Sequence, residues 1–211
     1  MNIYQEKFKK ALRGDIIVFI DAANLERSVQ DMYVNPKDVP DNLKGYQAEE
    51  LRWSVDYKAL DDFLKGECGI RSIRFYTPNF QSISHVNFLY FLKKNLKFKI
   101  ISKALKEYKD HSPETPHRKA NFDVELAVDS VDLIGSFDTF ILFSGDCDFE
   151  YLLKFLRGKS KNTIIFSRAG HVAKELPPAS NYYFDIVDFR DKILKITPKS
   201  KESHQMAGPC S

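Results

Sequence analysis

NFDVELAVDSVDLIGSFDTFILFSGDCDFEYLLKF, residues 121–155, places a helical spacing, a short apolar run (TFILF) and a second helical spacing in succession, with Asp146-Cys147-Asp148 directly after the run. Helix, buried strand and helix in that order are the unit from which parallel sheets are built. Residues 121–150 carry Asp123, Glu125, Asp129, Asp132, Asp138, Asp146, Asp148 and Glu150 without one Lys or Arg. Residues 91–120 hold nine Lys/Arg against three acids, and residues 151–174 hold six against none. Close carboxylates repel by roughly 4 kcal/mol per pair at a surface-like effective dielectric. An acidic centre between basic flanks therefore calls for a compensating charge, and a divalent cation is the usual one.

The same alternation extends on both sides. IIVFI (16–20) is a β-branched strand run that stops at Asp21-Ala-Ala-Asn24, where helical spacing begins. IRSIRFY, FKIISKAL and NTIIF are further strands, with a short one at 183–187. Between them lie helical spacings at 57–64, 80–96 and 122–134. In the second, Ile83, Val86, Phe88, Leu89, Phe91 and Leu92 predict a broad buried face. In the third, Val124, Ala127, Val128, Val131 and Ile134 are the predicted face against the sheet. The expected fold is α/β and Rossmann-like, a mainly parallel central sheet of about five or six strands with helices on both faces. IIVFI is expected at the centre beside TFILF.

One domain over 15–195 is expected, preceded by an accessory helix within 1–14 and followed by a tail, 196–211, of disordered composition. Residues 31–55 read as an inserted loop or flap, and 106–120 as a second irregular insertion. The longest apolar runs are far too short to span a bilayer, and the first fifteen residues have no apolar signal core, so a cytoplasmic protein with no membrane partner is expected. Three cysteines without CxxC or Cys/His spacing argue for reduced thiols and against zinc. Cys147 is read as a small buried hydrophobe, there being no His beside it in sequence to make it a nucleophile.

Asp21 and the Asp146/Asp148 pair end two strands, and Asp123 begins the helix leading into the second. If the strands are neighbours, the four carboxylates meet at the sheet edge where ligands bind. Hard oxygen ligands suit Mg²⁺ or Mn²⁺, and such a site can promote in-line phosphoryl displacement. Asp129 follows Asp123 by six residues, about 9 Å of rise and roughly 240° of rotation, and is assigned to an outer position or to solvation. Each acid alone would serve as a helix cap; it is the ordered set that points to a metal. Haloacid dehalogenase-type phosphatases require a second aspartate where Ala23 stands, and dinucleotide enzymes require glycines that DAANLE lacks.

FIDAANL, then KANFDVELAVD, then FILFSGDCDF together resemble the NYN domain, the LabA-like branch of the PIN-like nuclease superfamily. The resemblance covers roughly residues 15–189 and implies a PIN-like fold, a metal-dependent ribonuclease site using Mg²⁺ or Mn²⁺, and an RNA partner, taken as single-stranded. Carried over residue by residue, the catalytic and metal-holding carboxylates fall on Asp21, Asp123, Asp146 and Asp148, with Asn24 as the polar residue after the first strand. Asn24, Ser144, Arg118 and Lys119 are the expected substrate-binding residues. The two insertions are less typical of the family and lie where they would shape access. Trp53 and the insertion's aromatic residues are read as core or as a self-association surface for a homodimer. A non-catalytic RNA-binding or scaffold protein that keeps the fold is the alternative function.

Overall fold

In the computed structural model, which describes residues 3–67, 69–104, 106–108, 117–119 and 121–199, IIVFID forms β1 (Ile16–Asp21), whose first five residues are buried. A strand apolar on both faces needs a layer on each side, and the chain supplies both. With β3 (Ile70–Asn79), β4 (Lys99–Ala104), β7 (Thr139–Phe143), β8 (Asn162–Ser167) and β9 (Tyr182–Asp185), β1 forms a six-stranded sheet in the order β4-β3-β1-β7-β8-β9. Every neighbouring pair is parallel, and β1 lies directly beside β7, Ile20 opposite Phe143. All six carboxyl ends therefore share one edge.

Alternate residues of β1 face opposite cores. Ile16, Val18 and Ile20 pack with Phe8, Leu25 and Leu60 from α1 (Ile3–Ala11), α2 (Ala22–Gln30) and α3 (Tyr57–Glu67). Ile17 and Phe19 pack with Leu126 and Leu153 from α5 (Asp123–Asp132) and α6 (Glu150–Gly158). The fold is thus the expected α/β, PIN-like sheet with helices on both faces. The N-terminal helix, expected as an accessory, contributes Phe8 to the core, where its ring lies 5.4 Å from Phe63 and 5.2 Å from Phe166.

Several expectations are corrected. Residues 31–55 are not a structureless flap, because they end in β2 (Leu51–Val55), which alternates buried and half-buried residues and pairs antiparallel with β10 (Leu194–Pro198). Trp53 is buried there and its indole N–H donates to the Tyr33 carbonyl at 3.2 Å. Ile196–Pro198, given to the tail by composition, are the end of β10; residues 200–211 lie outside the described residues. The second irregular stretch contains β5 (Lys106–Tyr108) and β6 (His117–Lys119), an antiparallel pair.

Two helices are turned relative to expectation. On α4 (Ile83–Lys94) only Leu92 is buried, because the helix covers the edge of the sheet; Ile83 and Val86 are exposed. On α5 the valines 124, 128 and 131 are exposed, and Phe122, Leu126 and Ser130 face inward. Asp129 shares that inward side and accepts hydrogen bonds from the Arg74 guanidinium at 2.6 Å and the Tyr76 hydroxyl at 2.8 Å. The ion pair on β3 sets the rotation of α5.

Candidate functional site

Asp21 is the last residue of β1 and the N-cap of α2. Its Oδ1 accepts the Asn24 N–H at 3.2 Å and its Oδ2 accepts the Ser144 hydroxyl at 3.2 Å. Asn24 reaches back, its Oδ1 accepting the Gly145 N–H at 2.8 Å. These two bonds tie the end of β1 to the loop after β7. Gly145 has no room for a side chain, since a Cβ there would stand 2.2 Å from the His171 carbonyl oxygen. The chain therefore passes close beneath 168–173 before it turns at Asp146.

Asp146 caps the short 3₁₀ turn Cys147–Phe149, accepting the Asp148 N–H at 3.2 Å, and its own N–H donates to Ser144 Oγ at 3.3 Å. Asp123 starts α5, its N–H donating to Asn121 Oδ1 at 2.9 Å. Asp21 and Asp146 thus act locally as the caps that simple propensity expects, while Asp123 and Asp148 stand in the first turns of their elements, and all four carboxylates come to one end of the sheet. Burial pushes the Asp21 carboxyl up from 3.8 to about 6, opposed by its two hydrogen bonds and reinforced by the charges of Asp123 and Asp146. Burial also raises Asp123, with Asp146 and Asp148 adding to the rise. Among the described residues no Lys or Arg pairs with any of the four. Ligand atoms of Asp146, Cys147 and Asp148 all lie within 4.8 Å of one another. That group is two carboxylates and a thiol and does not include Asp21 or Asp123; its carboxylate oxygens fit a hard divalent cation.

Cys147 corrects another expectation. It is exposed, not buried, and desolvation with the charges of Asp146 and Asp148 holds its thiol above the usual value, which disfavours the nucleophilic thiolate. Ser144 is buried and bonded to Asp21, so it positions that carboxylate. Arg118 and Lys119 lie on β6, with side chains outside the described residues. Asp129 is neither solvated nor part of the acidic end, but is the partner of Arg74 and Tyr76. Sequence reasoning also passed over Glu26, whose carboxylate accepts the Tyr57 hydroxyl at 2.8 Å and whose pKa is raised by burial.

A parallel six-stranded sheet with helices on both faces and acids at its carboxyl edge defines a protein of the α/β class that binds ligands at that edge. The model of the NYN domain matches residues 15–188, and the chain belongs to that family. Low amplitude and bright protein LabA of Synechococcus elongatus is 35% identical over 102 residues, which is 48% of this chain and 55% of that protein. The match thus spans about half the relative's length. A crystal structure of a protein of unknown function from Vibrio parahaemolyticus superposes with a TM-score of 0.63 over 87% of this chain and 100% of that one, at 16% identity, and supports the fold. Among the described residues no helix is long and apolar enough to cross a membrane.

The raised Asp21 gives a pH-dependent stability. An acid whose pKa rises on folding costs nothing below its unfolded value near 3.8, and the cost grows until it is complete above about 6. At 1.36 kcal/mol per pH unit the penalty at neutral pH is about 3 kcal/mol at most. Asp21→Asn, which keeps the cap and the Ser144 contact, is expected to stabilise the chelator-treated protein by about 2 kcal/mol at pH 7.5. The gain should vanish near pH 4. Thermal unfolding across that range checks it, and a gain independent of pH would contradict the assignment.

Proposed function

We propose that this chain is a Mg²⁺- or Mn²⁺-dependent ribonuclease that hydrolyses phosphodiester bonds of single-stranded RNA at Asp21, Asp123, Asp146 and Asp148. The observation that carries the reading is the set of four carboxylates, brought to one sheet end by three separate elements without a basic partner among the described residues, where burial and the neighbouring acids raise Asp21 and Asp123. Such an arrangement is unfavourable unless a cation joins it. Membership of a nuclease-like family supports it further.

When bound, a divalent cation supplies charge neutralisation and a more acidic water. The chain's own residues do the rest. Asn24 and Ser144 hold Asp21 in one rotamer through bonds from the first turn of α2 and from the loop after β7, and Asp146 fixes Asp148 through its backbone. That preorganisation keeps the acids in place as phosphate approaches. Basic segments before and after the acidic centre draw in the polyanion.

The test is cleavage of several labelled single-stranded RNAs with Mg²⁺, Mn²⁺ or chelator, with Asp146→Asn prepared identically. Metal-dependent cutting by the wild type alone supports the proposal. Neutralising Arg118 and Lys119 together should lower the slope of log affinity against log salt by about one to two units for a single strand. An unchanged slope would return both residues to a solvated face.

A further inference from the structure

The carboxyl edge of the sheet holds a second concavity, on the β3 side of Asp21. It is a groove of about 950 Å³ between α4 and the β2/β10 pair, with Glu26 and Tyr57 among the residues that form it. Thr77 in its wall directly follows Tyr76, which is in register with Asp21. The groove thus opens along the strand next to the one that ends at Asp21, while Asp146 and Asp148 lie on the opposite, β7, side.

Its lining joins two chemistries that seldom share an unused surface. Phe80 and Phe91 are 44% and 36% exposed, although rings of that size gain most from burial. Phe80 stands edge-on to His85 with centroids 4.9 Å apart, and His85 is itself anchored by its Nε2 at 3.0 Å from the Pro78 carbonyl oxygen. Beside these rings stands Arg52, whose Nε is buried with no partner. Lys195 adds charge while reaching Asp56 at 3.5 Å. The two acids of the groove are both engaged, Glu26 by the Tyr57 hydroxyl and Asp56 by Lys195. An anion site would need no exposed rings, and an apolar docking face would gain nothing from an unpaired guanidinium N–H. A base with its phosphate needs both.

We infer that this groove is a nucleotide subsite, taking the nucleotide that adjoins the scissile phosphodiester, with its base stacked on Phe80 and its phosphate met by Arg52. The inference rests on the ribonuclease reading and deepens it. Arg52 comes from β2, so the insertion at 31–55 supplies substrate recognition through its last strand.

Fluorescence anisotropy of labelled single-stranded RNA on the full chain tests this, with cut positions mapped in parallel. Phe80→Ala should weaken binding about tenfold and Phe80→Trp should retain it, as stacking on one ring predicts. An abasic position next to the cut should weaken wild-type binding by a similar factor and cost Phe80→Ala nothing more, the signature of a shared contact. Arg52→Gln should lower the salt slope by about 0.7. If the wild type binds and cuts RNA while Phe80→Ala and Arg52→Gln match it in affinity and cut position, the subsite is wrong and the ribonuclease reading stands. If the wild type binds no RNA, both fall. Free nucleoside monophosphates binding as tightly as RNA, and losing that affinity in Phe80→Ala, would make the groove a small-molecule site and overturn the inference.

Discussion

Asp146→Asn is expected to reduce RNA cleavage by about 10³-fold or more, the scale of losing one electrostatic contact to the reacting group, and to leave RNA binding unchanged or tighter. The two effects separate because the substitution removes charge and little else. Asparagine is an equally good cap, and its Oδ1 can still accept the Asp148 N–H that Asp146 accepts at 3.2 Å. The turn Cys147–Phe149 and the start of α6 should therefore persist, and thermal unfolding should show it. What changes is the field at the sheet end: one of four mutually repelling carboxylates is gone. That weakens the hold on a cation and at the same time eases approach of a phosphate. Single-turnover cleavage and anisotropy on one RNA measure both quantities. Equal cleavage by mutant and wild type would reject the assigned site. Absence of cleavage by the wild type with both metals and several RNAs would favour a non-catalytic RNA binder that retains the fold.

The sheet was legible because its central strands β1, β7 and β8 are short, almost wholly buried runs. IIVFI and TFILF had to be neighbours if Asp21 and Asp146 were to meet, and β1 and β7 are paired. β2 was not legible, although LRWSV alternates, because its partner β10 lies some 140 residues away and β2 follows a proline-interrupted segment that keeps no period. The inward face of α5 was missed for a different reason. Its valines make an apolar stripe, but the inward stripe is Phe122, Leu126, Asp129 and Ser130, half of it polar. Hydrophobic periodicity cannot rank a stripe whose polar members are satisfied, Asp129 by Arg74 and Tyr76 on β3 and Ser130 by the Leu126 carbonyl of its own helix. At the site, the acids were found because they end strands. Their supporting bonds, Ser144 to Asp21 and Gly145 to Asn24, span more than 120 residues and have no sequence signature.

Asp129→Ala is expected to destabilise the protein by about 2–3 kcal/mol, less than the cost of breaking a fully buried ion pair because the Asp129 side chain is 30% exposed. Arg74 has a side chain only 7% exposed, and its Nε is already buried without a partner. Deleting Asp129 removes the carboxylate that accepts from the guanidinium and the acceptor of the Tyr76 hydroxyl as well. Asp129→Asn should cost less, because its amide oxygen can still accept from both groups. Replacing all three by apolar residues, Asp129→Leu with Arg74→Met and Tyr76→Phe, should recover most of the loss, since no charge or hydroxyl is then stranded. Urea unfolding measures the series. The pair also reaches the acidic end mechanically, for Asp123 and Asp129 are on one helix and Arg74 fixes its rotation. Cleavage by Asp129→Ala should therefore fall even at temperatures where the variant remains folded, while the apolar triple variant regains stability and activity together. Asp129→Ala as stable as the wild type would mean that Arg74 finds another acceptor, and the account of how α5 is oriented would be wrong.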